Sequence, residues 1–269
     1  MDMRLTNKKA LVTGSTAGIG FAIAALLAEE GASVVVNGRA PRRVEEAVQR
    51  IRTERKNAQV TGVAADLGTK EGVKLLIGDL PVVDILVNNL GIFEPKPFPE
   101  ITDEDWLRFF EVNVLSGVRL SRFYLPQMLQ KNWGRIVFIS SESAINTPVE
   151  MIHYGVTKTA QLALARGLAE LTAGTGVTVN SVLPGPTRSE GVERFVQDLS
   201  KAGGTDEASF EAEFFRTVRP SSLLKRFETP EEVAAMVVYV CSARASATDG
   251  AALRVDGGVI RSHRVSSRW

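Results

Sequence analysis

A tyrosine and a lysine four residues apart, Tyr154 and Lys158, are the residues whose types and spacing most directly indicate chemistry. On a helix, positions i and i+4 share a face, so the phenol and the ammonium group would lie side by side. A free tyrosine titrates near pH ~10, and a neighbouring positive charge lowers that pKa because it favours the phenolate. The pair is therefore a candidate general acid and base. Ser141 stands thirteen residues before the tyrosine.

The motif alone is weak evidence. A Tyr-x-x-x-Lys spacing is expected by chance about 0.1 times in a chain of this composition, as for any short motif. The same spacing also fits a surface helix on which a tyrosine packs against a lysine stem. The rest of the chain must therefore supply a reason for a proton shuttle.

Composition excludes several classes of protein. A net charge of +1 over 269 residues is unlike the basic excess of nucleic-acid binders. The single cysteine, Cys241, and the two histidines are too few for a disulfide framework or a typical zinc centre, so no metal site is predicted. No apolar run reaches ~20 residues and residues 1–9 carry no signal-peptide pattern, so we expect no membrane association and a cytoplasmic protein.

Short apolar runs rich in β-branched residues alternate with helical patterns along the chain. The runs predict strands at Lys9–Thr13, Ser33–Asn37, Gln59–Val63, Asp84–Val87, Arg135–Ser140, Val177–Leu183 and Ala251–Val255. The helical patterns lie at 18–30, 41–55, 69–79, 103–131, 154–174 and 230–243. Runs that are apolar on both faces indicate buried parallel strands. The sequence therefore predicts an α/β fold: a single doubly wound, Rossmann-type parallel sheet of about seven strands, with helices on both faces and one domain over residues 1–269.

One stretch breaks this alternation. Residues 186–228 separate the sixth strand from the last helix, although connections in compact domains are usually a few residues long. Helical patches at Gly191–Leu199 and Phe210–Val218 carry the aromatic residues Phe195, Phe214 and Phe215. We interpret the segment as a lid over a substrate. The alternative is a surface excursion packed by its own aromatic side chains.

A glycine-rich turn, Thr13 to Gly20, follows the first predicted strand and opens a helix. Glycines permit a tight turn and let the backbone approach a pyrophosphate, which then lies at the positive helix N-terminus. The spacing G-x-x-x-G-x-G is expected by chance about 0.2 times, but its place at the start of a βαβ unit favours dinucleotide binding.

The end of the second strand indicates which dinucleotide. A carboxylate there would bind the ribose hydroxyls of NAD, whereas an arginine accommodates the 2′-phosphate of NADP. The chain has Asn37, Gly38 and Arg39 at this point and no carboxylate. We therefore predict NADP(H) as the preferred cofactor, with NAD(H) possible.

Together these residues resemble the short-chain dehydrogenase/reductase family, over nearly the whole chain. The matching motifs are the glycine turn, Asp66 after the third strand, Asn88–Gly91, Asn113, Ser141, Tyr154 with Lys158, and Pro184–Gly185. The family has a small residue where this chain has Leu90. The resemblance implies that Asn113, Ser141, Tyr154 and Lys158 are catalytic. It also implies a cofactor site of Gly14, Ser15, Thr16, Gly18, Ile19, Gly20, Arg39, Asp66, Leu67, Asn89, Gly91, Tyr154, Lys158, Pro184, Gly185 and Thr187.

The implied reaction is reversible reduction of a carbonyl. Tyr154 would donate the proton, Ser141 would hydrogen-bond the same oxygen, and Lys158 would bind the nicotinamide ribose and lower the tyrosine pKa. Asn113 would hold a water that links Lys158 to solvent.

The substrate would be a small-molecule ketone or secondary alcohol. The predicted pocket is mostly apolar and consists of Phe93, Ser141, Ser143, Ile145, Val149 and Tyr154. Two alternatives stay open: a 3-oxoacyl-acyl-carrier-protein reductase, although Asn132 and Thr175 stand where that enzyme has basic residues, and a catalytically silent dinucleotide sensor. The resemblance also implies a homodimer or homotetramer.

Overall fold

The computed structural model of the chain describes residues 2–189 and 206–261. A parallel sheet of seven strands forms its centre, in the order β3-β2-β1-β4-β5-β6-β7. The strands are β1 Lys9–Val12, β2 Ser33–Gly38, β3 Val60–Ala64, β4 Ile85–Asn88, β5 Gly134–Ile139, β6 Val177–Pro184 and β7 Ala252–Val255. The central strands β4, β5 and β6 are buried along their whole length, including the polar residues of β5 and β6, as expected for parallel strands covered on both faces.

Helices cover both faces of the sheet. They are α1 Gly18–Glu29, α2 Pro41–Glu54, α3 Lys70–Asp79, α4 Asp103–Phe110, α5 Ser116–Gln130, α6 Ile152–Leu171, α7 Glu207–Thr217 and α8 Pro230–Cys241. One apolar core joins α1, α2 and α8 to the sheet, and a second joins α3, α5 and α6 to its other face. The predicted doubly wound Rossmann-type fold is confirmed. No helix among the described residues has the length and apolarity needed to cross a bilayer.

The helix expected over 103–131 is interrupted. A π-helical turn, Glu111–Leu115, separates α4 from α5. Asn113 lies within this turn and is buried, and its side chain bonds to groups outside the helix. A π turn inserts a residue into the helical ladder and is common at functional sites. Hydrophobic periodicity does not report such an insertion, because the apolar face continues through it.

The described part of the segment 186–228 contains α7 and an aromatic cluster. Phe215 and Phe227 are buried, and Phe210 and Phe214 pack against them. The helix predicted at Phe210–Val218 corresponds to α7, and the patch at Gly191–Leu199 with Phe195 lies outside the described residues. The cluster matches the alternative of an excursion packed by its own aromatics, although Phe214 also lines the cavity described below.

Polar side chains tie the loops together at the carboxyl edge of the sheet. The Thr13 hydroxyl accepts hydrogen bonds from the main-chain N–H groups of Asn89 and Leu90, both at 2.9 Å. The Asn89 side chain returns bonds to the carbonyl groups of Thr13 and Gly14, at 2.9 and 3.0 Å. Buried backbone groups need hydrogen-bond partners, and here side chains of the loops after β1 and β4 bond to the backbone of the other loop. These two neighbouring loops are therefore fixed relative to each other.

We expect Thr13→Val to destabilise the protein by about 1–3 kcal/mol, because two main-chain N–H groups lose their acceptor while the side-chain volume is kept. Thr13→Ser retains the hydroxyl and is the matched control. Urea unfolding measures the effect as a lower midpoint at an unchanged slope. Equal midpoints for the valine and serine variants would show that the hydroxyl does not hold the loops.

Candidate active site

A cavity of about 930 Å³ lies at the carboxyl edge of the sheet. Its wall brings together residues that are far apart in the chain: Ile19, Asn89, Gly91, Phe93, Ser141, Ser143, Val149, Tyr154, Lys158, Pro184, Gly185 and Thr187. Clefts at this edge of open α/β sheets are the usual ligand sites of such folds. Most of the residues predicted from sequence therefore converge on one space.

The start of α1 forms the nucleotide end of the site. Gly14 and Gly18 have φ values of +59° and +56°, in the left-handed region that favours glycine. A Cβ at Gly20 would lie 2.4 Å from Asn89 Nδ2 and 2.6 Å from the Gly14 carbonyl oxygen, so only glycine fits. No side chain caps α1, and its first turn holds no acidic residue. The helix start therefore presents unpartnered N–H groups that suit a phosphate.

Ser15 and Asn37 shape the turn from within. The Ser15 hydroxyl donates to the Val12 carbonyl at 2.6 Å and accepts from the Asn37 N–H at 3.0 Å. The Asn37 amide bonds the carbonyl groups of Val63 and Ala65 and accepts from the Gly14 N–H. Ser15, predicted to bind cofactor, thus has a buried side chain committed to the fold, and its main-chain N–H also donates to the Asn37 carbonyl at 2.8 Å. The sequence did not indicate that Asn37 braces the turn, because its partners lie on two segments distant in the chain.

The residues predicted to meet the adenosine part of the cofactor include a basic residue, Arg39, and an acidic one, Asp66. Arg39 is exposed just after β2, whereas Arg42 pairs with Glu46 at 2.7 Å. Asp66 is exposed after β3, where its carboxylate also accepts from the Gly68 N–H at 3.0 Å. The Leu67 side chain is buried in the core, so this predicted residue can meet a ligand only through its main chain.

A turn after β6 closes the other end of the site. Gly185 N–H donates to the Val255 carbonyl at 2.7 Å and to Glu228 Oε2 at 3.2 Å. Thr187, which lines the cavity, donates its hydroxyl to the Gly185 carbonyl at 3.0 Å. Burial raises the pKa of Glu228 to about 8, because desolvation disfavours its charged form. Glu228, which the sequence did not reveal, therefore holds the predicted Pro184–Thr187 turn in place.

Ser141 and Tyr154 form the reactive face. The two hydroxyl groups are close enough for Ser141 to influence the phenol, and the Ser141 Oγ accepts from the Ser143 N–H at 3.1 Å. Burial raises the pKa of Tyr154 to about 12. The Glu142 carboxylate also raises this pKa, whereas the Ser141 hydroxyl lowers it. In this structure the tyrosine is a neutral proton donor.

Lys158 lies beside Tyr154 as the i, i+4 spacing predicts, with its Nζ 5.5 Å from the centre of the phenol ring. The Nζ donates to the Ile139 carbonyl at 2.9 Å and to Gln161 Oε1 at 3.3 Å. Burial lowers the pKa of Lys158 to about 7. Desolvation thus pushes both groups toward their neutral forms, and Lys158 is not among the groups that lower the tyrosine pKa here.

Asn113 reaches the same cluster from the π turn. Its side chain accepts from the Ile92 N–H at 2.7 Å and donates to the Ile92 carbonyl and to Thr157 Oγ1, both at 3.0 Å. Its main-chain carbonyl accepts from Gln161 Nε2 at 2.5 Å. The Asn113 side chain therefore braces the loop after β4 against α6, while its carbonyl is linked to Lys158 through Gln161.

The predicted substrate wall is mostly in place. Phe93 contacts Tyr154 edge to face, with ring centres 6.4 Å apart, and Ser143 and Val149 line the cavity. Ile145, predicted with them, is exposed and lies outside the lining. The reason is that residues 142–144 form a 3-10 turn after Ser141, which ends the extended alternation of side chains before Ile145.

A buried ion pair was missed by the sequence reading. Arg219, just after α7, donates to Glu142 Oε1 at 2.9 Å and lies 3.5 Å from Glu150 Oε1. Arg219 and Glu142 are separated by 77 positions, and all three side chains line the cavity. The pair joins the segment 206–228 to the residue next to Ser141. Burial raises the pKa of Glu142, against the opposing effect of Arg219.

Other candidate groups are structural. His153 is buried against Phe109, with ring centres 4.0 Å apart, and burial lowers its pKa. Cys241, the last residue of α8, is buried in the core. Within residues 2–189 and 206–261, no three His, Cys, Asp or Glu side chains are grouped as a metal ion would require.

Comparison with known proteins agrees with this geometry. The family model described as short chain dehydrogenase matches residues 8–200. The uncharacterized oxidoreductase YvaG of Bacillus subtilis is 50% identical, over 97% of this chain and 99% of that protein. A 3-oxoacyl-acyl-carrier-protein reductase, FabG of Aquifex aeolicus, is 32% identical over 96% of this chain and all of that protein.

Solved structures give the same answer. L-sorbose reductase from Gluconobacter frateurii, complexed with NADPH and L-sorbose, has a TM-score of 0.92 at 33% identity. The match covers 97% of this chain and 100% of that one. The fold is thus shared over nearly the whole length of both chains. The chain belongs to the short-chain dehydrogenase/reductase family and is an NAD(P)-dependent oxidoreductase.

Proposed function

We propose that the protein is an NADPH-dependent carbonyl reductase that also runs in reverse as an alcohol dehydrogenase. The observation that carries this proposal is the convergence of Ser141, Tyr154 and Lys158 at one wall of the cavity, with Asn113 buried behind them and linked to Lys158 through Gln161. A protein that only bound a dinucleotide would have little use for a proton donor beside a second hydroxyl.

The described residues fit a nicotinamide dinucleotide. The uncapped start of α1 suits the pyrophosphate, and the glycines leave a cradle that a Cβ would fill. Gly91 lies beside the catalytic cluster, since a Cβ there would be in contact with Lys158 Nζ at 3.4 Å. When bound, the cofactor supplies or accepts the hydride.

The chain's own residues handle the proton. In reduction, Tyr154 donates its proton to the substrate oxygen as negative charge develops there. Ser141 Oγ already accepts from the Ser143 N–H, so its own hydrogen is available to bond the same oxygen. The Lys158 ammonium, when protonated, stabilises the phenolate that remains. In oxidation the phenolate takes the proton back.

The preference for NADP(H) is supported by Arg39. It is exposed at the end of β2, where a 2′-phosphate would be met, and Asn37 and Gly38 bring no carboxylate to that point. The solved relative L-sorbose reductase is complexed with NADPH. Arg42 is engaged by Glu46 and supports the preference less.

The charges around the cavity favour an uncharged substrate. Glu142, Glu150 and Glu213 line it, and Arg219 lies between the first two of these carboxylates. A substrate carboxylate would meet this acidic wall and would have to compete for an arginine that is already paired. Hydroxyl groups can instead donate to the carboxylates, so we propose a neutral ketone, including a keto-sugar, as the substrate class.

The geometry does not favour an acyl-carrier-protein substrate. Asn132 and Thr175 bond to nearby loop backbone, and neither is basic. The basic residues beside them are also committed. Lys131 pairs with Asp84 at 3.2 Å, and Arg135 is buried and donates to the carbonyl groups of Ser242, Gly134 and Gly176. An acidic carrier would find little free positive charge here.

The proposal includes two further elements. The described part of 186–228 acts as a lid over a single domain, supported by Phe214 and Arg219 at the cavity wall. Assembly into a dimer or tetramer is supported by exposed apolar side chains on the helices after β4 and β5, among them Leu107 and Val156.

We expect Tyr154→Phe to reduce turnover by about 10³-fold or more, because the phenol is the proton donor, while NADPH binding stays nearly unchanged. NADPH oxidation against a panel of carbonyl compounds, with binding measured by fluorescence titration, tests this. Tyr239→Phe on the surface of α8 is the control. Turnover retained by Tyr154→Phe contradicts the mechanism, and tight NADPH binding by the wild type with no carbonyl turned over favours the sensor.

We expect Arg39→Ala to weaken NADPH binding about 10- to 100-fold and NADH binding little, because one charge-assisted contact to the 2′-phosphate is lost. Arg42→Ala, which breaks a surface pair on the same stretch, is the matched control. Dissociation constants for both cofactors give the answer. If the wild-type protein bound NADH as tightly as NADPH, the proposed preference for NADP(H) would be contradicted.

Among carbonyl compounds of similar size, we expect kcat/KM to be at least about tenfold higher for neutral ketones than for keto acids, because three carboxylates line the cavity and its arginine, Arg219, is already paired. Glu213→Gln removes one lining carboxylate, which pairs with Arg216 in the wild type, and should lower the ratio of the two kcat/KM values. A wild-type preference for keto acids would show that Arg219 binds a carboxylate in preference to its glutamate partners.

A further inference from the structure

We propose that Gln161 is a positioning residue of the active site, which holds Lys158 in place and links it to the main-chain carbonyl of Asn113. The inference rests on the proposed function in that Lys158 and Asn113 serve catalysis. The family resemblance implies only a water, held by Asn113, that links Lys158 to solvent; the link through the Gln161 amide is a separate contact of this chain.

The placement of Gln161 follows from its helix. It lies three positions after Lys158 on α6, so the two side chains share a face. That face is turned inward, and both residues are buried. Gln161 is thus a buried polar side chain between two elements of the cluster.

The two ends of the amide match the two groups they meet. Oε1 accepts from the Lys158 Nζ at 3.3 Å, and Nε2 donates to the Asn113 carbonyl at 2.5 Å. Reversing the amide would face donor to donor and acceptor to acceptor, so the chemistry of the partners fixes the orientation. The bridge joins α6 to the π turn across 48 positions of the chain.

The bridge is needed because the ammonium is buried without a carboxylate. Among the described residues, Lys158 forms no ion pair, and its hydrogen-bond acceptors are the Ile139 carbonyl and Gln161 Oε1. Tyr154 is the titratable side chain beside it, and Glu111 on the π turn is engaged by Arg119. A buried ammonium costs free energy unless its donors are satisfied. Gln161 therefore favours the charged form that the mechanism uses.

The test follows the titration of Lys158 directly. Protein labelled with ¹³C at the lysine ε-carbon is titrated by NMR, and the Lys158 signal is assigned by its loss in Lys158→Met. Gln161→Met keeps the volume and removes both hydrogen bonds, so the Lys158 midpoint should fall by about one pH unit. Gln161→Glu places a negative charge beside the ammonium, so its midpoint should rise above the wild type.

Activity gives a second readout. In Gln161→Met, kcat should fall about tenfold with KM little changed, because positioning is lost rather than substrate binding. The midpoint of the pH profile for alcohol oxidation should move upward, since a less charged Lys158 stabilises the phenolate less. Gln127→Met removes a glutamine bond to the backbone of its own helix, α5, and is the matched control, with wild-type behaviour expected.

The inference would be overturned if the NMR titration midpoint of Lys158 were the same as in the wild type in both Gln161 variants. It would also be overturned if a folded Gln161→Met protein had the kcat and the pH profile of the wild type. If Gln161→Met fails to fold, the titration midpoint of Lys158 in Gln161→Glu still tests the inference, because it should lie above the wild-type midpoint. If the wild type turns over no carbonyl, the proposed function fails, whereas the NMR titration still tests Gln161.

Discussion

The site depends on one constraint: where parallel strands end, the loops that leave them carry backbone groups that must be satisfied away from water. Four side chains meet this need. Thr13 accepts hydrogen bonds from the loop after β4, and Asn89 of that loop donates to the glycine turn. Asn37 bonds that turn to the segment after β3. Asn113 bonds the loop after β4 to α6. The cavity keeps its shape because these loops are bonded to one another and not only to solvent.

Within this frame, burial sets the electrostatics. Desolvation raises the pKa of Tyr154 to about 12 and lowers that of Lys158 to about 7, so each group is pushed toward its neutral form. Charge at the site is therefore sensitive to each hydrogen bond and each neighbouring carboxylate. Gln161 acts on the lysine, and Glu142, paired with Arg219, acts on the tyrosine.

The ion pair between Arg219 and Glu142 also connects the segment 206–228 to the catalytic residues. Arg219 follows α7, whereas Glu142 follows Ser141 directly. A movement that separated them would leave a buried carboxylate unpaired beside the reacting phenol, which is unfavourable. The position of the segment and the electrostatics of the acid–base pair are thus coupled through one guanidinium.

The sequence by itself determined what local patterns encode. Apolar periodicity indicated the sheet, the glycine spacing indicated the turn, and the i, i+4 spacing placed Tyr154 beside Lys158, because these depend on geometry within a few residues. Only the tertiary structure decided the roles of Gln161, Arg219 and Asn37, the inward position of Ser15 and the exclusion of Ile145 from the cavity. The physical reason is that these depend on partners dozens of positions away and on desolvation, which exists only once the chain is packed.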